Sequence, residues 1–112
     1  MSHIDFFIKQ LEVKFRVRFI RNGKRGDSRG GWIRPTAIFV VWEYNGFYNT
    51  DIGRMFGVNR KTVHNSINRG KNLRWAEDEA FENQYNKMLE LYIQTTRVYL
   101  KKNQIYNLKQ VA

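Results

Sequence analysis

Apolar side chains recur at helical spacing through the N-terminal part of the chain. They fall at i, i+3, i+4, i+7 and i+11, one face of an amphipathic helix, and they are Ile4, Phe7, Ile8, Leu11 and Phe15. From Val13 to Phe19 apolar residues instead alternate with basic ones, which is the period of a strand. Because no second alternating run is available as a partner, we expect a helix that ends near Phe15 and an extended or irregular segment after it.

A nearly continuous apolar segment runs from Ala37 to Tyr44. A helix that is apolar on most sides is buried on most sides. Pro35 suits the first turn of such a helix, because an N–H at that position has no partner to lose. The β-branched residues are also compatible with a buried strand, but the proline and the absence of other strand patterns favour a core helix of about ten residues.

A shorter helix is predicted to begin near Asn49. Asn49 or Thr50 can cap its N-terminus, and Asp51 lies in the first turn, where a carboxylate interacts favourably with the helix dipole. The apolar stripe of this helix consists of Ile52, Met55 and Phe56.

Two glycines and a second capped helix complete a helix-turn-helix pattern. Gly53 stands where two steeply crossing helices would crowd a larger side chain, and Gly57 can adopt the positive φ of a tight turn. Val58 anchors the turn in the core, and Asn59 can cap the next helix. That helix is held by two apolar residues four positions apart, Val63 and Ile67. A helical hairpin without a nucleic-acid role has the same apolar pattern, so the function depends on the outward face.

The last third of the chain predicts a long helix that begins at the acidic cluster Glu77, Asp78 and Glu79. Its stripe repeats at alternating steps of four and three and comprises Phe81, Tyr85, Met88, Tyr92, Thr95, Tyr99, Lys102 and Tyr106, widened by Leu89, Ile93 and Leu100. We expect Phe81 to Ile93 to pack on the core. A helix of about twenty-five residues outruns so small a domain, so residues 81–106 are also a candidate surface for a homodimer.

These elements together predict the fold class. We expect an all-α protein in which residues 1–76 form a basic helix-turn-helix bundle and residues 77–112 form an extended C-terminal helix that packs on it.

Charge is unevenly distributed along the chain. The formal net charge is +10, and residues 1–76 carry fifteen Lys and Arg against five Asp and Glu, whereas residues 77–112 carry five of each. A phosphate-facing surface explains such sorting, because each neutralised phosphate releases counterions. A basic surface that is merely solvated is the alternative.

Composition argues against several other classes. The chain has no cysteine, its two histidines are far apart in sequence, and no acidic cluster has metal-ligand spacing. We therefore expect no enzyme activity, no cofactor, no metal and no small-molecule substrate. No apolar run approaches the roughly 18 residues of a membrane span, and no signal peptide is recognisable. We expect a cytoplasmic, nucleoid-associated protein without a membrane partner.

Two sets of side chains are candidates for contact with duplex DNA. A glycine-rich segment, residues 21–34, is expected to be a loop whose cations lie along phosphates or enter a narrow minor groove. Its cations are Arg21, Lys24, Arg25, Arg29 and Arg34, and Arg69 and Lys71 are expected to add phosphate contacts. The second set is the outward face of a recognition helix over about 59–69, which offers amides and cations to a major groove. It consists of Asn59, Arg60, Lys61, Thr62, His64, Asn65 and Asn68.

The segment TDIGRMFGVNRKTVHNSI, residues 50–67, resembles the C-terminal DNA-binding domain of the bacterial replication initiator DnaA, a TrpR/DnaA-like helix-turn-helix. That family has Ile-Gly-x-x-Phe-Gly-Gly, a polar run and Thr-Thr-Val, and a basic loop that leads into an apolar helix as at Arg34-Pro35. The resemblance covers roughly residues 4–75. It implies that Arg25 or Arg29 contacts a minor groove, and that bases in the major groove are read by Asn59, Arg60, Lys61 and Thr62.

The chain departs from this family where bases are read. Counting back from Val63, the acidic and histidine positions of the family are Asn59 and Arg60, the first of its paired threonines is Lys61, and the turn is one residue shorter. Because Asp accepts from cytosine or adenine amines whereas Arg and Lys prefer guanine, we expect a target other than the initiator's own box. No Gly-rich phosphate loop occurs, so we expect no ATPase domain.

The function expected from the sequence is sequence-specific binding of double-stranded DNA. The setting would be a regulator, or a replication or recombination accessory, of phage or mobile-element type. Two alternatives stay open: an RNA-binding module that uses the same basic surface, and a protein-interaction adaptor that acts through the C-terminal helix.

Overall fold

Five helices dominate the part of the chain that the computed structural model describes, residues 3–17, 20–21, 24–25 and 31–111. Side chains are described over 3–17 and 31–102. The helices are α1 (His3–Phe15), α2 (Ile33–Asn45), α3 (Asn49–Phe56), α4 (Arg60–Trp75) and α5 (Glu79–Val111). All five contribute to one hydrophobic core, which confirms the expected all-α class.

The end of α1 is set by a left-handed residue. Arg16 has a φ of 54°, and the N–H of Val17 then donates to the carbonyl of Glu12 at 3.2 Å. This is a Schellman closure, in which the chain reverses and its last helical carbonyls are satisfied. The helix therefore ends at Phe15 as predicted, and the period of two that starts at Val13 does not produce a strand there.

A short hairpin follows α1, contrary to our expectation that an extended segment would find no partner. The strands β1 (Ile20–Arg21) and β2 (Lys24–Arg25) pair antiparallel, with Ile20 opposite Arg25. The sequence between the strands is Asn-Gly, which favours two-residue hairpin turns and is the signal that the periodicity argument overlooked. The loop predicted over 21–34 is therefore interrupted by β2, and its last two residues already belong to α2.

The core helix α2 begins two residues before Pro35 rather than at it. Pro35 is the third residue of the helix, still within the first turn, where its missing N–H costs no helical hydrogen bond. Residues 36–41 are all buried, which confirms a helix apolar on nearly every side. Gly46, with φ 68°, ends α2, and its N–H donates to the carbonyl of Trp42 at 2.8 Å.

The turn between α3 and α4 has the predicted geometry. Gly57 adopts a φ of 67°, and Ile52 and Phe56 are buried. A Cβ on Gly53 would lie 2.7 Å from the carbonyl oxygen of Val58. A side chain at position 53 would therefore clash with the backbone of the turn rather than with a crossing helix. The predicted cap of α3 was wrong: the N-cap is Tyr48, which makes no side-chain capping bond, and Asn49 begins the helix.

The long helix α5 packs on α1, α2 and α4 with its first half. Glu77, with φ 53°, closes α4, and Asp78 then accepts a hydrogen bond from the N–H of Phe81 at 2.8 Å. Among the side chains of α5 that the structure describes, those of Phe81, Met88, Leu91, Tyr92 and Thr95 are buried. At about 1.5 Å per residue its length matches the 53 Å long axis of the molecule. No helix among the described residues is long and apolar enough to cross a membrane.

Close packing of α2 against α4 depends on Gly70. A Cβ at this position would lie 2.5 to 2.7 Å from three carbons of the Phe39 ring. Phe39 is 1% exposed and is surrounded by Trp42, Phe81 and Tyr85, so its ring has little freedom to move away.

We therefore expect Gly70→Ala to destabilise the protein although alanine favours helices. The helix preference is worth about 1 kcal/mol, whereas overpacking a core typically costs about 1–3 kcal/mol, so the expected net loss is up to about 2 kcal/mol. Urea unfolding measures it. Gly31→Ala is the matched control, because among the described residues no atom beyond its chain neighbours lies within 4 Å of a Cβ there. Equal free energies of unfolding for the two variants would contradict this packing.

Candidate nucleic-acid interface

The predicted recognition residues lie together on the outward face of α4. The inward face is formed by Val63, Ser66, Ile67 and Gly70, all buried. The residues on the other side are Asn59, Arg60, Lys61, His64, Asn65 and Asn68, all exposed, with Thr62 half-buried at the edge. The helix continues to Trp75, six residues beyond the predicted end at 69, so the same face extends over Lys71 and Asn72.

Asn59 holds the start of this helix. Its side-chain oxygen accepts a hydrogen bond from the N–H of Thr62 at 2.7 Å, the cap that the sequence predicted. Because the oxygen is engaged in the cap, the side-chain amide N–H groups remain as its donors toward a ligand. Capping also orders the first turn, from which Arg60 and Lys61 project into solvent.

His64 and Asn68 form a pair one helical turn further on. The Asn68 amide nitrogen lies 3.0 Å from His64 Nε2, an arrangement in which a neutral imidazole accepts from the amide. Each side chain thereby limits the rotamers of the other. The pair presents a defined set of donors and acceptors in the middle of the exposed face.

The predicted phosphate contacts divide into three groups. Lys71 is exposed, and its Nζ lies 4.8 Å from the centre of the Trp42 ring. Arg34, in the first turn of α2, and Arg69 are half-buried. The others are described only through the backbone, namely Arg21, Lys24 and Arg25, while Arg29 lies outside the described residues.

An open groove borders the α4 face and was missed by the sequence argument. It has a volume of about 860 Å³ and is lined by Trp42, Gly46, Phe47, Tyr48, Asn49, Thr50, Arg60, Lys61 and His64. Tyr48 is 79% exposed. Its place beside α4 could not be found from the sequence, because the connection from α2 to α3 and the start of α4 meet only through tertiary packing.

Basic side chains predominate in the turn and in α4. Residues 52–76 contain six Lys and Arg and no Asp or Glu. The nearest preceding acid, Asp51, lies 3.9 Å from Arg54. The exposed cations of α4 are Arg60, Lys61 and Lys71, and a face that carries them favours phosphate over other polar ligands.

One cation of α4 serves the fold instead. Arg74 donates to both carboxylate oxygens of Glu43, and Tyr85 donates to the same carboxylate. The Arg74 guanidinium also lies 5.0 Å from the centre of the Phe39 ring and 4.8 Å from that of Tyr85. This cluster ties the C-terminal end of α4 to α2 and α5.

The same cluster shifts three titrations. The hydrogen bond from Arg74 holds the pKa of the Glu43 carboxyl below its ordinary value although partial burial raises it. The bond to Glu43 raises the pKa of Arg74. Partial burial, and then the bond to Glu43, raises the pKa of the Tyr85 hydroxyl.

No group of three metal-ligating side chains occurs among the described residues.

Comparison with known proteins does not place the chain in a family. No family model matches it, and neither a curated protein nor a solved structure does so. Its function is therefore inferred from its own residues and geometry.

We expect Glu43→Gln to lower the free energy of unfolding at pH 7, because it removes the charge that pairs with Arg74. The loss should be only about 0.5–1 kcal/mol, because solvent partly screens the Glu43–Arg74 ion pair. The side chain of Glu43 is 32% exposed and that of Arg74 is 41% exposed. Since folding lowers the pKa of Glu43, its contribution is present above the unfolded value of about 4.3 and is lost as the pH falls through the folded value. Urea unfolding at neutral and acidic pH measures the difference.

Glu90→Gln is the control, because the Glu90 carboxylate is exposed and accepts a long hydrogen bond from Gln94 at 3.4 Å. A penalty for Glu43→Gln that stays the same at acidic pH would show that the charge of the carboxylate is not what stabilises the cluster.

Proposed function

We propose that this protein binds double-stranded DNA in a sequence-specific manner, with α4 in the major groove. The observation that supports this most is the outward face of α4, where amides and cations lie on one side of a capped helix that follows a glycine turn. An α-helix fits the major groove, which is about 12 Å wide. A face of this composition is not needed for packing, because the apolar residues of α4 already meet the core.

Each side chain type on this face suits a known base edge. Arg60 and Lys61 can donate to N7 and O6 of guanine. Asn65 and Asn68 can each bind adenine through the N–H donor and the carbonyl acceptor of the side-chain amide. Lys71 and the cations of segment 21–34 would contact phosphates, which contribute affinity without sequence information. We therefore expect a guanine-containing target.

The resemblance of residues 50–67 to the DnaA DNA-binding domain supports the same proposal. It suggests that segment 21–34 approaches a minor groove while α4 occupies the neighbouring major groove. The replacement of the family's acidic and histidine positions by Asn59 and Arg60 makes a different target the expectation. A regulator, or a replication or recombination accessory, of phage or mobile-element type is the setting that we propose.

RNA is the second candidate ligand, because two exposed aromatic residues flank the basic face. Tyr48 is 79% exposed and Trp75 is 89% exposed. Exposed rings beside cations are typical of proteins that stack single-stranded bases. Duplex DNA is favoured over RNA because the amides and cations lie along a regular helix rather than on an aromatic platform.

The deciding experiment is selection of random duplex DNA on the purified protein at about 150 mM salt, a concentration at which weak phosphate contacts are screened. Enrichment of a motif of several base pairs is the expected result, and a palindrome would indicate a dimer. Retention of DNA without enrichment, or stronger binding to single-stranded RNA, would contradict the proposal.

We expect Arg60→Ala to reduce discrimination among sequences more than total affinity, because Arg60 would contact bases. Arg25→Ala and Arg29→Ala should weaken binding to all sequences and reduce the salt slope by about one. Binding isotherms on the selected site and on a scrambled site measure both effects. Arg97→Ala, which removes an exposed cation from α5, is the control and should leave the ratio of the affinities for the selected and the scrambled site unchanged. Equal losses for Arg60→Ala on both sites would exclude base reading by this residue.

A further inference from the structure

The groove beside α4 shares one wall with the proposed recognition face, but its other wall has no part in the contacts proposed so far. One wall is the connection from α2 to α3, residues 46–50, and the other is the first half of α4 with Arg60, Lys61 and His64. Trp42 also lines it. The groove is open at Gly46, where no described atom beyond its chain neighbours lies within 4 Å of the Cβ position.

The chemistry of the groove fits an anionic strand. Arg60 and Lys61 supply two cations on the α4 wall, and the opposite wall offers the hydroxyl and amide groups of Tyr48, Asn49 and Thr50. None of the described residues that line it is Asp or Glu. A phosphodiester strand alternates anionic phosphates with weakly polar sugars, and the lining offers cations for the phosphates and the aromatic rings of Trp42, Phe47 and Tyr48 for the sugars.

Tyr48 is the most unusual residue of this wall. It precedes α3 in an extended conformation, with φ −65° and ψ 148°, and its side chain makes no capping bond. Its ring is 79% exposed, so it contributes little to the core. A single exposed aromatic residue needs no explanation by itself, but this one stands at the edge of a cationic groove next to the proposed recognition helix.

We propose that one strand of the bound duplex lies in this groove and that Tyr48 is a backbone-positioning residue. Its ring packs on a deoxyribose, and its hydroxyl donates to a phosphate oxygen. The strand lies between Tyr48 on one wall and the start of α4 on the other, which sets the angle at which α4 enters the major groove. This inference rests on the proposed function, since it requires a duplex on α4.

The test compares Tyr48→Ala and Tyr48→Phe on the selected duplex and on a scrambled duplex. Tyr48→Ala should weaken binding to both about tenfold, and Tyr48→Phe about threefold, because a contact to the backbone carries no sequence information. Ethylation of individual phosphates should interfere with binding of the wild type at a phosphate where Tyr48→Ala is indifferent. Tyr44→Ala is the matched control, an exposed tyrosine outside the groove whose ring lies 5.6 Å from that of Tyr92.

The outcomes separate this inference from the function on which it rests. If Arg60→Ala loses discrimination while Tyr48→Ala binds like the wild type, the groove does not hold a strand although the protein reads DNA. If Tyr48→Ala loses discrimination rather than affinity, Tyr48 contacts a base and the backbone role is wrong. If the wild type selects no duplex motif, the proposed function fails first. If inorganic phosphate displaces the duplex more strongly than another salt at the same ionic strength, the groove binds a free anion instead.

Discussion

The ring of Phe39 lies where α2, α4 and α5 meet, and α4 can approach it only because residue 70 has no side chain. A Cβ there would overlap the ring face, at 2.5 Å from its nearest carbon. The stacked and tilted contacts of Phe39 with Trp42, Phe81 and Tyr85 hold the ring from the other sides. This contact fixes the rotation of α4 about its own axis. The rotation in turn decides which of its side chains face the core and which face solvent.

The polar residues of α4 serve different purposes along its length. Asn59 at one end and Arg74 at the other are engaged within the fold, as a cap and as the partner of Glu43. Between them, the exposed residues Arg60, Lys61 and Asn65 are not needed to hold the helix in place. A helix secured at both ends presents these side chains on a fixed backbone, so little backbone entropy is lost on binding.

The distribution of charge follows the same division. The acid-free stretch from 52 to 76 covers the turn and the whole of α4, and acidic residues return only at Glu77, where the chain turns into α5. Glu43 is the carboxylate that reaches α4 from α2, and Arg74 neutralises it. None of the described residues that line the groove is acidic, and Arg60 and Lys61 are exposed beside it, which favours attraction of a polyanion.

Local signals were enough to predict much of this molecule. The apolar spacing identified α1, α2 and α5, and the glycine at 57 with the cap at Asn59 identified the turn into α4, because each of these depends on residues within one or two turns of each other. Short-range reasoning failed at the cap of α3, which is Tyr48 because the path of the chain out of α2 decides where the helix begins. It also missed the pairing of β1 with β2. The groove could not be predicted from neighbouring residues, and neither could the Glu43–Arg74 pair, whose partners are 31 positions apart. Periodicity and capping are properties of neighbouring residues and can be read along the chain, whereas a groove or a bridge between helices exists only after packing has chosen which faces meet.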